Sequence, residues 1–268
     1  MRRRDLPIFV VSLLWACLAC AAPATTATID ELMHKSGLWE QLAGINAALQ
    51  RGFDTEEARR SVPEANAVAL RQAFMVAYGP DKLRPAVAAV LAAKLAAEDA
   101  EEALAWLATD LGSRITKLEE ASSNQASPER PTEVVNALSP ERRAQYARLA
   151  QSLRSADVGA TMMINLAYGL AHGIRVAAPQ MRTQDPERVR QQLESRRPLL
   201  VAMLKEQAMA SFAITYATLT DAELERYIAF AEAPAGQRYH AVSGLAIETA
   251  LSDAAVDAGR LFVTMQLT

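Results

Sequence analysis

Residues 219–239 read L-T-D-A-E-L-E-R-Y-I-A-F-A-E-A-P-A-G-Q-R-Y, and they specify two helices with a sharp corner between them. Thr220 stands where a helix N-cap belongs, and Glu223 follows three residues later. In such a capping box each side chain satisfies a free backbone N–H near the other. Leu219 and Leu224 flank the cap as a hydrophobic staple. Leu224, Tyr227, Ile228 and Ala231 then fall at i, i+3, i+4 and i+7, which is one apolar stripe of a helix. Phe230 lies off that stripe, about 60° around from Tyr227. Pro234 has no N–H to continue the helix, and it suits the first position of the next one. Gly236 removes a Cβ where two helix ends approach. Tyr239, Val242, Ser243, Ala246, Ile247 and Ala250 continue at helical spacing. Tyr227, Phe230, Pro234, Gly236 and Tyr239 are therefore candidates for a structural corner or, where exposed, an interface.

Outward from the corner, the composition favours helices. The chain has 268 residues, 51% of them hydrophobic, and about one in five is alanine, the best helix former. No stretch alternates apolar and polar residues over a strand's length, so the expected class is all-α, a helical bundle. Helix starts recur at Thr28 with Glu31, Asp54 with Glu57, Ser61 with Glu64, Ser139-Pro140 and Asp185-Pro186. Tyr78-Gly79-Pro80-Asp81 reads as a loop before another helix. The apolar run from Leu199 to Leu219 is interrupted by Lys205, Glu206 and Gln207, so it reads as a buried helix and not as a membrane span.

The segment D-A-E-L-x-x-x-I-A-F-x-x-x-P-A-G-Q, within Thr220 to Leu245, resembles the central motif of the domain-of-unknown-function 2059 family, helical domains found mainly in exported bacterial proteins. That pattern has an aromatic after the Phe and a Ser before the Pro, where this chain has Ala231 and Ala233. The resemblance implies an all-helical exported protein. It implies no reaction and no catalytic residue.

The first residues fit export. Arg2, Arg3 and Arg4 precede an apolar run from Leu6 to Ala19, too short to span a bilayer. Ala19-Cys20-Ala21 fits a signal-peptide cleavage rule, giving residues 1–21 as leader and a mature start near Ala22. A lipoprotein anchored through Cys20 is the alternative. The expected location is periplasmic or secreted. Both cysteines, Cys17 and Cys20, lie in the leader, so the mature chain has no thiol and no disulfide. Removing three Arg and one Asp with the leader leaves 25 basic and 30 acidic residues, net −5. That mild acidity argues against nucleic-acid binding.

Residues 121–131 are polar and proline-bearing, and they open a linker, 121–138, that divides an N-terminal helical region, 22–120, from a C-terminal one, 139–268. The two regions read as possible copies. Aligning Gly112 with Gly236 places Trp106 over Phe230, Arg114 over Arg238 and Ile115 over Tyr239. Asp99-Ala100-Glu101 resembles Asp221-Ala222-Glu223 with two residues inserted, and Arg84-Pro85 resembles Arg197-Pro198.

Chemistry-bearing motifs are sparse. His34, His172 and His240 are scattered without metal-ligand spacing, and no phosphate loop or nucleophile elbow occurs. No cofactor is expected. Asn165, Tyr168 and His172 share one side of a helix near Met162, Met163 and Met181, a candidate pocket strip or a hydrogen-bonded core. The leading expectation is a non-enzymatic binding or interaction module for a protein or small apolar ligand. A hydrolase or lipid-handling protein with an interhelical site is the alternative.

Overall fold

The computed structural model describes residues 22–55, 64–123, 130–180 and 185–266. The leader with Cys17 and Cys20, and Glu57, Ser61 and Met181, lie outside the described residues. Thirteen helices and no strand are present among the described residues, as the composition predicts. The first six are α1 (Thr26–Lys35), α2 (Leu38–Phe53), α3 (Glu64–Ala77), α4 (Pro80–Lys94), α5 (Ala97–Leu107) and α6 (Asp110–Ser123). A six-residue α7 (Pro131–Asn136) follows. The last six are α8 (Pro140–Ser152), α9 (Ser155–Ala177), α10 (Pro186–Ser195), α11 (Arg197–Thr215), α12 (Asp221–Glu232) and α13 (Pro234–Gln266). The 121–138 segment thus holds the end of α6 and all of α7.

Side-chain caps set several of the helix starts. The Thr220–Glu223 box is complete: Glu223 N donates to Thr220 Oγ1 at 3.3 Å, and Thr220 N donates to Glu223 Oε2 at 2.8 Å. Ser139 Oγ accepts from Arg142 N, Asp185 accepts from Glu187 N, and a proline follows each cap at the first helical position. One expected cap moves. Thr25, not Thr28, caps α1, and Thr28 sits inside the first turn with its N–H donating to the Thr25 hydroxyl. Asp54 follows the last residue of α2 and its carboxylate pairs with Arg71 at 2.7 Å, while the helix expected to follow it lies outside the described residues.

Among the described residues the two runs of six helices follow in the same order. The turns α1–α2 and α8–α9 are two residues each, and each ends in a left-handed residue. Gly37 (φ 75°) and Arg154 (φ 50°) are the two such residues among those described. From Leu95/Leu219 through Ile115/Tyr239 the halves match at a constant separation of 124 residues. This register pairs Asp99 with Glu223, so the insertion expected from matching Asp99 to Asp221 is not needed. Pro198 lies in the first turn of α11 and answers Pro80 of α4, whereas Pro85 sits inside α4.

The halves do not keep separate cores. One core gathers Ile29, Leu32 and Met33 of α1, Leu42 of α2, Leu83, Val87 and Leu91 of α4 and Ala100 and Ala103 of α5. Its remaining wall is Tyr239, Ala246, Ala250, Ala254 and Ala258 of α13, from the other half. The second core gathers Tyr146 and Leu149 of α8, Leu219, and Leu224, Tyr227 and Ile228 of α12, and is closed by Leu111 and Ile115 of α6, from the first half. Each half therefore lends its sixth helix to the other. The periodic apolar stripe of α12 is fully used, since Leu224, Tyr227, Ile228 and Ala231 are all buried.

Helices α9 and α13 cross closely because glycines face backbone. A Cβ on Gly173 would lie 2.0 Å from Val256 O, and one on Gly259 2.4 Å from Leu170 O. The buried helix expected at 199–219 is only half right. Met209 and Ala210 are buried, but Leu199 is 71% and Met203 51% exposed. Helix α11 lies at the edge, packed on α9, α7 and α8 along one side, and its apolar run exceeds what that side covers.

Candidate functional site

The corner at α12–α13 and its twin at α5–α6 position everything that follows. A Cβ on Gly236 would stand 1.9 Å from Phe230 O, and one on Gly112 would stand 2.2 Å from Trp106 O. No side chain fits at either position, so the preceding helix can end directly against the next. Thr109 caps the first corner, accepting from Gly112 N at 3.0 Å. The equivalent residue in the second corner is Ala233, which has no group to cap with.

Two reciprocal ion pairs tie the corners together. Arg114, two residues after Gly112, binds Glu223 at 2.7 Å, and Arg238, two residues after Gly236, binds Asp99 through both carboxylate oxygens at 2.6 and 2.8 Å. Asp99 is buried, and Arg238 reaches it from the surface. Between the pairs, the Trp106 and Phe230 rings stack at 4.8 Å, and both rings touch both cores. Of the corner candidates, Tyr227 and Tyr239 are buried, Phe230 is half-buried, Pro234 is exposed at the start of α13, and Gly236 is the close-approach point. Tyr227 and Tyr216 both donate to Glu119 Oε1, at 3.0 and 2.6 Å. Burial pushes the Glu119 carboxyl up, against the pull of those two hydroxyls. Burial also pushes the Tyr239 hydroxyl up to about 12.

Each corner faces the turn between the first two helices of its half, and a cleft lies between them. In the first half the cleft is small, about 290 Å³, lined by His34, Lys35, Thr116 and Glu120 among others. In the second half the cleft is about 940 Å³, lined by the end of α8, the start of α9 and one side of α13 from Gln237 to Glu248. The register explains the difference. Glu120 of α6 lies against Gly37, so that a Cβ there would be 2.9 Å from Glu120 Oε1. Gly244 occupies the place of Glu120 in α13, and Arg154 that of Gly37. The side chain that fills the first cleft is missing from the second.

The larger cleft mixes charged side chains of both signs, nearly balanced, with apolar ones such as Leu153, Val158 and Leu245. Arg148 is held by Glu225 and Glu232, both at 2.9 Å, and Arg238 by Asp99. Glu248 accepts from Asn165 at 2.6 Å. Arg154 forms no ion pair among the described residues, and α9 begins beside it without a side-chain cap. His240 stands where the first half has Thr116. Its Nε2 is buried with no hydrogen-bond partner, and burial holds the imidazole down near 4.

Asn165, Tyr168 and His172 lie along α9 as the spacing predicts, but they do not line one pocket. Asn165 reaches the edge of the large cleft through Glu248. Tyr168 and His172 stack on each other at 5.7 Å, and Arg190 of α10 covers Tyr168. Among the described residues no His, Asp and Glu cluster could hold a metal ion, and no helix is long and apolar enough to cross a membrane. No protein-family pattern, no curated protein and no solved structure matches the chain. The cleft escaped the sequence reading. The contrast of Glu120 with Gly244, and of Gly37 with Arg154, was its available signal.

Proposed function

We propose that this chain is an exported protein, as its resemblance to the domain-of-unknown-function 2059 family implies, that it is a non-enzymatic binding protein, and that its ligand occupies the larger cleft. The observation that carries the reading is the asymmetry of the two clefts: one is filled by the chain's own Glu120, and its counterpart opens at Gly244. A volume of about 940 Å³ is in the range of small-molecule sites. Its charged side chains favour a ligand with polar groups over the purely apolar one expected from the sequence. The fixed charges are largely neutralised by neighbours, and the His240 ring has no carboxylate partner to orient it as a base. Those features favour recognition over hydrolysis.

The test is native mass spectrometry of the mature chain after exposure to the small-molecule fraction of a periplasmic extract. A ligand retained by the wild type and lost from Gly244→Glu supports the reading. No retained ligand, or equal retention by both, contradicts it. The same spectra check export, since the exported chain should begin near Ala22 without an acyl group. A full-length cytosolic product contradicts export, and a diacylated Cys20 replaces it with the lipoprotein alternative.

A further inference from the structure

Independently of the cleft, we propose that the outer face of α11, with the end of α10, docks on a membrane surface that carries anionic phospholipid. The two sides of α11 differ. Leu204 faces α9, where a Cβ on Gly159 would lie 3.3 Å from its Cδ1, and Arg197 donates to Thr161 Oγ1 of α9 at 3.1 Å. Leu199, Ala202 and Met203 lie on the other side and are exposed, Leu199 by 71% and Met203 by 51%. The fold does not require apolar residues there. In α4, counted from the matching proline Pro80, exposed Asp81 takes the place of Leu199 and exposed Pro85 that of Met203.

Positive charge frames this apolar row. Arg196, Leu199 and Met203 fall at i, i+3 and i+7, and Lys205 lies one turn beyond Ala202, so both cations border exposed apolar side chains. Arg188 of α10, Arg196 and Lys205 are exposed and have no carboxylate partner among the described residues. Glu187 and Glu194 are already held by Arg190 and Arg197, and Glu206, the remaining acid, is half-buried. Residues 186–207 carry five basic and three acidic side chains, net +2, in a mature chain of net −5.

An anionic bilayer answers both features at once. Apolar side chains of a surface helix enter the boundary between headgroups and acyl chains, while nearby Lys and Arg keep their charges at the anionic headgroups. A second copy of the chain answers neither. Two large exposed side chains fall well short of the ~800 Å² that each partner of a stable dimer buries. A two-fold pairing of this face would also set its cations against their own copies. Because the rest of the chain is acidic, the attraction selects this face, orients the protein on the surface, and weakens with added salt.

The test is co-sedimentation of the mature chain with two kinds of vesicle: phosphatidylcholine alone, and two parts phosphatidylcholine to one part phosphatidylglycerol. The wild type should bind the mixed vesicles, bind phosphatidylcholine far less, and be released by salt. One double variant, Leu199→Ser with Met203→Ser, removes the apolar row, and another, Arg196→Gln with Lys205→Gln, removes the charges. All four side chains are on the surface, so melting curves should match the wild type. Partition onto mixed vesicles should fall about tenfold or more in each double variant. Amide exchange of the wild type supplies a readout that needs no variant: residues 196–206 should become protected on mixed vesicles. No binding to mixed vesicles, equal binding to both kinds, indifference to either double variant, or protection that spares 196–206 overturns the proposal. A dimer in analytical ultracentrifugation that Leu199→Ser with Met203→Ser abolishes also overturns it, and assigns the face to a second copy.

Discussion

Trp106 and Phe230 lie face to face with planes 9° from parallel, and each ring comes seven residues after the acidic residue that binds the other half's arginine. Because both rings touch both cores, the stack joins the halves instead of decorating a surface. Phe230→Ala should cost about 3 kcal/mol, the low end for a lost core aromatic, because the ring is only half-buried. Trp106→Ala should cost a similar amount. The double mutant should fall short of the sum by about 0.5–1.5 kcal/mol, the coupling expected of stacked rings. Urea unfolding of the four proteins measures this. Strict additivity would show that the stack contributes nothing of its own.

The corner glycines are required by backbone, not by flexibility. At 1.9 and 2.2 Å from carbonyl oxygens, a Cβ at 236 or 112 forces two helix ends apart. Gly236→Ala and Gly112→Ala should each destabilise by about 1–3 kcal/mol or more. Gly244→Ala, with only ordinary contacts nearby, should not destabilise and should gain up to about 1 kcal/mol of helix propensity. Thermal melts of the three variants decide it, and equal shifts for all three would refute the close-approach account.

Much of this corner was legible in the sequence. Thr220, Glu223, Pro234 and Gly236 act through local backbone chemistry, and local chemistry is what a sequence writes most plainly. The correspondence of halves is legible at Gly112, Trp106, Arg114 and Ile115, but the sequence sets Asp99 against Asp221 where the register sets it against Glu223. The two D-A-E triplets attract each other by composition, while the true counterpart of Thr220 is Ala96, which carries no cap signal. The exchange of α6 and α13 was not legible. The stripe on α13 says that one face is buried but does not say against which core. The same gap explains Leu199 and Met203, whose apolar character announces burial that their edge position does not supply.

His240 makes stability depend on pH. Its folded value, near 4, lies below the ordinary 6.5 of a histidine. As pH falls below 6.5 the unfolded chain takes up a proton that the folded chain refuses, so stability declines until pH reaches about 4. Between pH 7 and pH 5 the loss should be about 2 kcal/mol. Glu119, pushed up by burial, contributes the opposite way, its stabilisation fading as pH rises through its folded value. Urea titrations at pH 5 and 7 should show the loss in wild type and a clearly smaller one in His240→Gln. The same loss in both proteins would place its origin elsewhere.

Neither half has a complete core without the other's sixth helix, and native-state hydrogen exchange can show it. Amide protection should be followed by mass spectrometry for α5 and α12 through a series of sub-denaturing urea concentrations. The exchange of helices predicts that both report one opening free energy and one urea dependence, because unfolding either half strips a wall from both cores. If α12 opens at a markedly lower free energy while α5 stays protected, or the reverse, the halves are independent units and the interlocked account is wrong.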